Sequence, residues 1–375
     1  MSNQVLYRKY RPQTFGEVVG QEHVTQLLKS AIMLNRIAHA YLFSGPRGTG
    51  KTSVARLLAK AAGCEKQKNG EPCNTCGVCR EFSLGSAFDL IEIDAASSRG
   101  IDDIRELRDA VRLSPVRAKY KTYIIDEVHM LTKEAFNALL KTLEEPPAHA
   151  IFILATTEFE KVPETIVSRV QHYEFRKIPA VVIVNRLECV IKKEGLTAEK
   201  DALRLLSIFA DGGLRDAESM LGQVLSGRDT LTAEDVRLVL GAPKEELVHA
   251  FVAALFEKNA ASAVRAANTA IEEGTDPQMY LKMIIRNVRH ALLARLDSNI
   301  TERLADDLTE AEQKFLKTEG AVAVSVPQLE QMLRSLIDAY WMSYRAVYPQ
   351  LPLELAIVEI LRDSFEEARK EVRNI

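Results

Sequence analysis

The octet Gly45-Pro46-Arg47-Gly48-Thr49-Gly50-Lys51-Thr52 stands between the apolar run Ala40-Tyr41-Leu42-Phe43 and the helical pattern Ser53-Val54-Ala55-Arg56-Leu57-Leu58. A buried strand, a glycine-rich turn and a helix in that order form a phosphate cradle, and they restrict the fold to an α/β plan in which a strand feeds a helix directly. Gly45, Gly48 and Gly50 let the backbone turn tightly, so that successive N–H groups and the positive end of the helix converge on phosphate oxygens. Pro46, Arg47 and Thr49 complete the turn. Lys51 adds a point charge, and Thr52 offers a hydroxyl to a magnesium ion bridging the phosphates of ATP.

Lys121-Thr122-Tyr123-Ile124-Ile125 leads straight into Asp126-Glu127. Both carboxylates then emerge at the C-terminal edge of a buried parallel strand, where ligands of open α/β sheets collect. Asp126 is expected to hold magnesium, directly or through water, and Glu127 to orient and deprotonate the attacking water. An ordinary solvated loop also begins this way, and it is the phosphate loop upstream that favours the acidic site. His129 extends the pair to an Asp-Glu-x-His string of helicase type. Such a helicase needs a second sheet, whereas the chain beyond Pro179 reads as helix, so His129 stays outside the catalytic set.

A chain of 375 residues exceeds the size of a single core, and two or three domains are expected. No uninterrupted apolar stretch is long enough to span a bilayer, and Met1-Ser2-Asn3-Gln4 opens no signal-peptide pattern. A cytoplasmic location with no membrane contact follows as an expectation. The net charge of −3 gives no global case for nucleic acid, so any such contact must come from a local patch.

Four of the five cysteines fall together as Cys64, Cys73, Cys76 and Cys79, in a loop carrying Gly70, Pro72, Asn74 and Gly77. Four thiolates in a reducing compartment suit closed tetrahedral zinc, and with no position left for water the metal would be structural. An iron–sulfur cluster or four unligated thiols would use the same residues. Cys189 lies in a helical pattern and is expected to be a small core residue.

Periodicity divides the chain into an alternating α/β region and a helical remainder, with the change near Lys177-Ile178-Pro179. Strand candidates occur at 40 to 44, 89 to 93, 121 to 125, 151 to 155 and 171 to 175. Helical spacing follows at 202 to 210, 215 to 225 and 233 to 240. Gly241-Ala242-Pro243 marks a second boundary, and later breaks come near Gly274 to Pro277, Asp297 to Asn299, Ser325 to Pro327 and Pro349 to Pro352.

An α/β ATPase core with a small helical lid is the AAA+ plan. Arg8-Lys9-Tyr10-Arg11-Pro12, then Phe15-Gly16-Glu17-Val18-Val19-Gly20-Gln21-Glu22, the phosphate loop and Asn137-Ala138-Leu139-Leu140-Lys141-Thr142-Leu143-Glu144-Glu145-Pro146 resemble the gamma/tau clamp-loader family of bacterial DNA polymerase III. The resemblance covers essentially the whole chain, and the cysteine loop separates it from other clamp loaders. It implies an AAA+ core with an inserted zinc loop at 1–178, a helical lid at 179–242 and an all-α collar at 243–375. The helices of the collar, including the amphipathic run Leu329 to Trp341, would join subunits; a self-contained bundle would look the same.

The same resemblance places Arg11, Pro12 and Val19 beside the adenine. It makes Thr157, after Ala155-Thr156, a sensor of the γ-phosphate, and Arg215, in Gly213-Leu214-Arg215-Asp216, a lid arginine that reaches the phosphates of its own subunit. Thr165-Ile166-Val167-Ser168-Arg169-Val170 resembles a Ser-Arg-Cys motif whose arginine enters the neighbouring subunit's ATP site, which makes Arg169 a trans finger. Val170 replaces the usual cysteine, and the charge that does the work is kept. Arg105, Arg108 and Arg112 share a helix face and follow Arg99-Gly100. The segment resembles one that tracks duplex DNA, which points to Arg99 and Arg105 as phosphate contacts. Asp102, Asp103, Glu106 and Asp109 are interleaved, and a solvated helix laced with pairs would look alike.

The expected partners are delta-type and delta-prime-type subunits, copies of this chain, the sliding clamp and primer-template DNA. The expected ligands are ATP, magnesium and structural zinc. Polymerase and helicase contacts belong in the family to regions further C-terminal, and the closing run Phe365 to Ile375 stops in mid-helical pattern, as a truncated chain would. No polymerase active site is recognisable. A AAA+ remodelling motor and a non-hydrolysing scaffold are the alternatives; the cysteine loop argues against the first and the intact acidic and phosphate motifs against the second.

Overall fold

A strand buried on both faces reads as an unbroken apolar run, and three segments of this chain do so. In the computed structural model they are the three inner strands of a five-stranded sheet. The structure describes residues 5–98, 100–296, 310–318 and 323–362, with the side chains of 101–103, 105, 310 and 311 outside the description. Two compact units result, Met1–Val190 with Ala210–Gly222 and Ile191–Phe209 with Gln223–Ile375.

The first unit begins with α1 (Leu6–Lys9), a 3-10 turn (Phe15–Glu17), α2 (Glu22–Met33), β1 (Ala40–Ser44), α3 (Lys51–Gly63), α4 (Gly77–Leu84) and β2 (Leu90–Asp94). It continues with α5 (Ile101–Val111), β3 (Lys121–Asp126), α6 (Lys133–Glu144), β4 (Ala150–Thr156), α7 (Glu164–Val167) and β5 (Gln171–Glu174). The chain then forms α8 (Ala180–Glu194), β6 (Thr197–Ala198), α9 (Lys200–Ala210) and α10 (Leu214–Val224).

The sheet is parallel throughout, in the order β2-β3-β4-β1-β5. Its edge strands, Leu90-Ile91-Glu92-Ile93-Asp94 and Gln171-His172-Tyr173-Glu174, are the two with polar residues interspersed. Side chains alternate between faces as a pleat demands. Leu42, Tyr123, Ile125, Phe152 and Leu154 pack with Ile104 and Leu107 of α5 and with Phe136 and Leu139 of α6. Their neighbours Tyr41, Phe43, Ile124 and Ile153 pack with Leu28 of α2 and with Val54 and Leu58 of α3. Tyr123 and Phe152 stack at 5.3 Å. Register sets Asp94 opposite Asp126 and Ser44 opposite Thr156, so the polar strand ends share one edge.

The strand expectations hold to within a residue at each end. The expectation of helix alone after Pro179 is corrected by β6 and β7 (Thr230–Leu231), which pair in parallel in the second unit. Two residues per strand are too few to leave a period of two in the sequence. Cys189 is also corrected, since it is exposed. Ile183, Leu187, Val190 and Ile191 form the buried stripe of α8, and Cys189, two residues and about 200° from Leu187, turns the other way.

In the second unit α11 (Ala233–Leu240) begins with a Thr232–Asp235 capping box and ends at Gly241 in the left-handed conformation. Then come α12 (Glu245–Phe256), α13 (Ala260–Glu272), α14 (Pro277–Leu296), α15 (Glu310–Leu316), α16 (Val326–Ser343) and α17 (Leu351–Ile360). Ser325 and Gln328 cap α16, whose buried residues Leu329, Met332, Leu336 and Ala339 follow helical spacing. The break at Asp297 to Asn299 lies outside the described residues. No described helix is long and apolar enough to cross a membrane.

Candidate functional site

Following β1, the phosphate loop folds back so closely that a Cβ on Gly45 would sit 2.1 Å from the carbonyl oxygen of Phe175. Gly50 takes φ +104° with nothing within 4 Å of where its Cβ would be. The loop is thus crowded on one side and open on the other, at the N-terminus of α3, where unpaired N–H groups and the helix dipole attract an anion. Lys51 is only 6% exposed. Its Nζ donates to the carbonyls of Gly45 at 2.7 Å and Pro46 at 2.8 Å. Burial pushes its pKa below the ordinary lysine value while Glu127 and Asp126 pull it back up.

Thr52 Oγ1 donates to Asp126 Oδ2 at 2.8 Å, an oxygen pair of the type a hard divalent cation selects. Glu127 follows at φ +48°, a left-handed conformation that a non-glycine residue adopts only under local constraint. Its Oε2 accepts from the Thr157 N–H at 3.1 Å and the Thr157 hydroxyl at 2.9 Å. The β4 end that supplies Thr157 lies between the strands that lead to the phosphate loop and to Asp126. His129, half-buried, places Nδ1 2.9 Å from Thr156 Oγ1 and 3.5 Å from Glu127 Oε2. It thus touches the candidate base from behind.

A cleft of about 310 Å³ opens above these groups. Arg11, Pro12, Val19, Arg47, Gly48, Thr49, Gly50, Lys51, Thr52, Asp126, Glu127 and Arg215 all line it, so twelve of the residues singled out by sequence converge there. Burial lowers the pKa of Arg11. Arg215 enters from α10, its backbone N–H donating to Gly48 O at 3.3 Å and its guanidinium lying 4.8 Å from the Tyr7 ring centroid. Tyr7, Tyr10, Asp94, Arg186 and Glu218 also line the cleft and were not singled out. Asp94 could have been found, since β2 ends in an acidic residue as β3 does. Glu218 had no signal, being one glutamate on a helix with ordinary periodicity. Arg186 Nη2 donates to Tyr10 O at 2.7 Å and its Nε lies 3.4 Å from Glu218 Oε1.

Arg169 is elsewhere. Its Nη2 is 2.7 Å from Glu144 Oε1, and its Nη1 donates to Thr165 O at 2.8 Å. It lines a separate groove with Arg36, His39, Leu143 and Glu144, none of which borders the phosphate loop. Arg99 lies outside the described residues, and so does the side chain of Arg105, although the backbone of Arg105 belongs to α5. Arg108 pairs with the adjacent Asp109 at 3.2 Å.

The four cysteine Sγ atoms lie within 4.8 Å of one another. The Cys64–Cys76 and Cys73–Cys79 pairs are at 4.0 and 3.9 Å, against about 3.8 Å for thiolates at tetrahedral corners around zinc. An iron–sulfur cubane places an inorganic cage between its thiolates and spreads them wider. Backbone N–H groups of Cys73, Cys76 and Cys79 donate to Sγ of Cys64, Cys73 and Cys76 at 3.3 to 3.4 Å, the outer-shell bonding that fixes metal ligands. The donor set fits zinc.

Three family models cover nearly the whole chain: DNA polymerase III delta subunit at residues 20–179, clamp loader ATPase lid domain at 182–227, and domain III of subunits gamma and tau at 231–374. The tau subunit of Bacillus subtilis is 43% identical over 98% of this chain and 65% of its own length. That of Escherichia coli is 47% identical over 74% and 43%. The gamma subunit of Buchnera aphidicola (strain Sg) is 38% identical over 79% of this chain and 82% of its own. The chain thus spans between about two fifths and two thirds of the tau subunits it matches.

Proposed function

Because the chain belongs to the gamma/tau family of DNA polymerase III clamp-loader subunits, we propose that it binds and hydrolyses ATP within an oligomeric ring that opens a sliding clamp and loads it onto primed DNA. The observation that carries this is the convergence on one cleft of the phosphate loop, the Thr52–Asp126 pair and Glu127, whose carboxylate Thr157 holds by two hydrogen bonds. The polyphosphate lies along the open side of Gly50 and the N-terminus of α3, with Lys51 exchanging two carbonyl partners for phosphate oxygens. Thr52 and Asp126 hold magnesium, which when bound neutralises charge developing on the phosphates. Arg11, Pro12 and Val19 hold the base.

Glu127 accepts the proton of the attacking water. Its Oε2 accepts from the Thr157 N–H and hydroxyl, which holds the carboxylate at the end of β4, where Thr157 would sense the γ-phosphate. Arg215 relays nucleotide state to the lid. Arg169 acts on a neighbouring subunit's nucleotide. Core, lid and collar divide at 178 and 242 in this reading, which the three matching models at 20–179, 182–227 and 231–374 support, with zinc holding the cysteine loop. Delta-type subunits, further copies of the chain, the clamp and primer-template DNA are the partners, with Arg99 and Arg105 on the duplex backbone, in the cytoplasm.

The test is ATP hydrolysis by the chain assembled with its cognate subunits, with and without clamp and primed DNA, with Lys51→Ala as control. Stimulation that requires both clamp and DNA is expected. Vigorous hydrolysis by the chain alone, indifferent to the clamp, would overturn the proposal in favour of a self-sufficient motor.

A further inference from the structure

The segment 11–19 lines the nucleotide cleft at Arg11, Pro12, Val18 and Val19, yet its only regular structure is the 3-10 turn Phe15–Glu17. Something else must fix it, and two braces do so, one from the cysteine loop and one shared by α3 and α4. The first is a hairpin tip. Asn69 and Gly70 both have positive φ, 53° and 76°, the signature of a tight turn that suits Asn-Gly. It closes an antiparallel bridge between Lys68 and Glu71. Gly70 lies so close to α2 that a Cβ would be 2.6 Å from Lys29 O. The turn thereby delivers the Glu71 carboxylate to the Phe15 N–H at 2.7 Å and the Gly16 N–H at 3.1 Å, with Lys29 Nζ at 2.9 Å.

The second brace starts from α4, whose N-cap is Cys76. Ser83 of α4 and Gln13 of the cleft segment share the buried Lys60 ammonium, which donates to Gln13 Oε1 and Ser83 Oγ at 2.9 Å each. Gln13 Nε2 in turn donates to Arg11 O at 3.1 Å. Both braces adjoin the four cysteines, since Glu71 lies between Cys64 and Cys73 and Ser83 follows Cys79 on α4.

We propose that Glu71 is a positioning residue through which metal loading of the cysteine loop sets the affinity of the cleft for nucleotide. Charge-assisted bonds to the adjacent amides of Phe15 and Gly16 orient the peptide units two to four residues before Val18 and Val19. A loop without metal delivers the carboxylate less faithfully, so metal and nucleotide bind with positive, reciprocal coupling. The inference rests on the nucleotide reading of the cleft.

The test is calorimetric titration of the full chain with magnesium–ADP, for wild type, Glu71→Gln and wild type stripped of zinc, with bound zinc measured in each. Glu71→Gln, folded and fully zinc-loaded, is expected to bind ADP at least about fivefold more weakly and to raise KM for ATP with kcat unchanged. Stripped wild type is expected to shift the same way. Affinities within about twofold of wild type in folded, zinc-loaded Glu71→Gln overturn the inference. If that variant does not fold, unchanged affinity in stripped wild type and in Ser83→Ala overturns it instead. A wild-type chain that binds no ADP sinks the nucleotide reading, a result separate from either.

Discussion

The phosphate cleft and the cysteine loop are recognition sites of opposite sign that depend differently on what they recognise. Burial holds Lys51 and Arg11 below their ordinary pKa values, so the cleft stores cations short of water. Lys51 nevertheless has two carbonyl partners within the loop, so the loop's own backbone holds the ammonium in place. In the cysteine loop Thr75 and backbone amides hold the Cys73 thiol down to about 5, while burial pushes Cys79 up. Four sulfurs within 4.8 Å do not all ionise without a cation among them, so the loop needs its ligand to keep its shape. One site is preorganised by backbone; the other is organised by what it binds.

The largest effect tests whether the cleft is complete. Lys51, Thr52, Asp126, Glu127 and Arg215, all proposed to act on the chain's own ATP, line the cleft, whereas Arg169 is tied to Glu144 in another groove. Arg169→Ala is expected to lower hydrolysis in the assembled ring by about 10³-fold or more while leaving each subunit's nucleotide affinity unchanged. Rings mixing Arg169→Ala with Lys51→Ala subunits recover partial activity if the arginine acts across the interface. Unaffected hydrolysis would leave Arg169 as a surface pair and make the cleft self-sufficient. Glu127→Gln comes next, with about 10²-fold or more lost from the hydrolysis rate under single turnover and ATP still bound. Weakened binding with normal turnover would assign Glu127 to holding ligand instead.

How these two sites could be read in the sequence follows the same contrast. The phosphate loop and the cysteine spacing are contiguous, and each was visible because one short segment carries most of its chemistry. Inner strands were visible to within a residue at each end because burial on both faces leaves few polar positions to blur a run such as Ala150–Thr156. What escaped was assembled across distance. Tyr7, Arg186 and Glu218 reach the cleft from α1, α8 and α10, and no local pattern marks them. Glu71 lies inside the cysteine loop without being one of its four thiols, and no local pattern marked it. Cys189 was misplaced because residue type was weighed above its angular position on α8.

Cys79→Ser probes the ligand-organised site. It is expected to lose bound zinc and to destabilise the first unit by about 3 kcal/mol or more, read as a drop in denaturant midpoint with metal content. Saturating ADP adds its mass-action increment to wild type and variant but does not restore the variant. Equal stability with and without zinc would erase the contrast drawn between loop and cleft.

The smallest effect concerns a carboxyl the cleft keeps without full compensation. Burial pushes Glu218 up to about 7, against the pull of Arg186. In the unfolded chain the group releases its proton near the ordinary 4.5. Between those values the folded chain holds the extra proton, so stability falls as pH rises from about 4.5 to about 7 and levels off above. Glu218→Gln cannot ionise and should lose that slope. Denaturant midpoints at pH 5 and pH 8 are expected to differ less in the variant than in wild type, by on the order of 2 kcal/mol. Parallel slopes would mean that Arg186 keeps Glu218 ionised throughout. The cleft would then satisfy its buried charges internally, with no need of a ligand at this end as well as at Lys51.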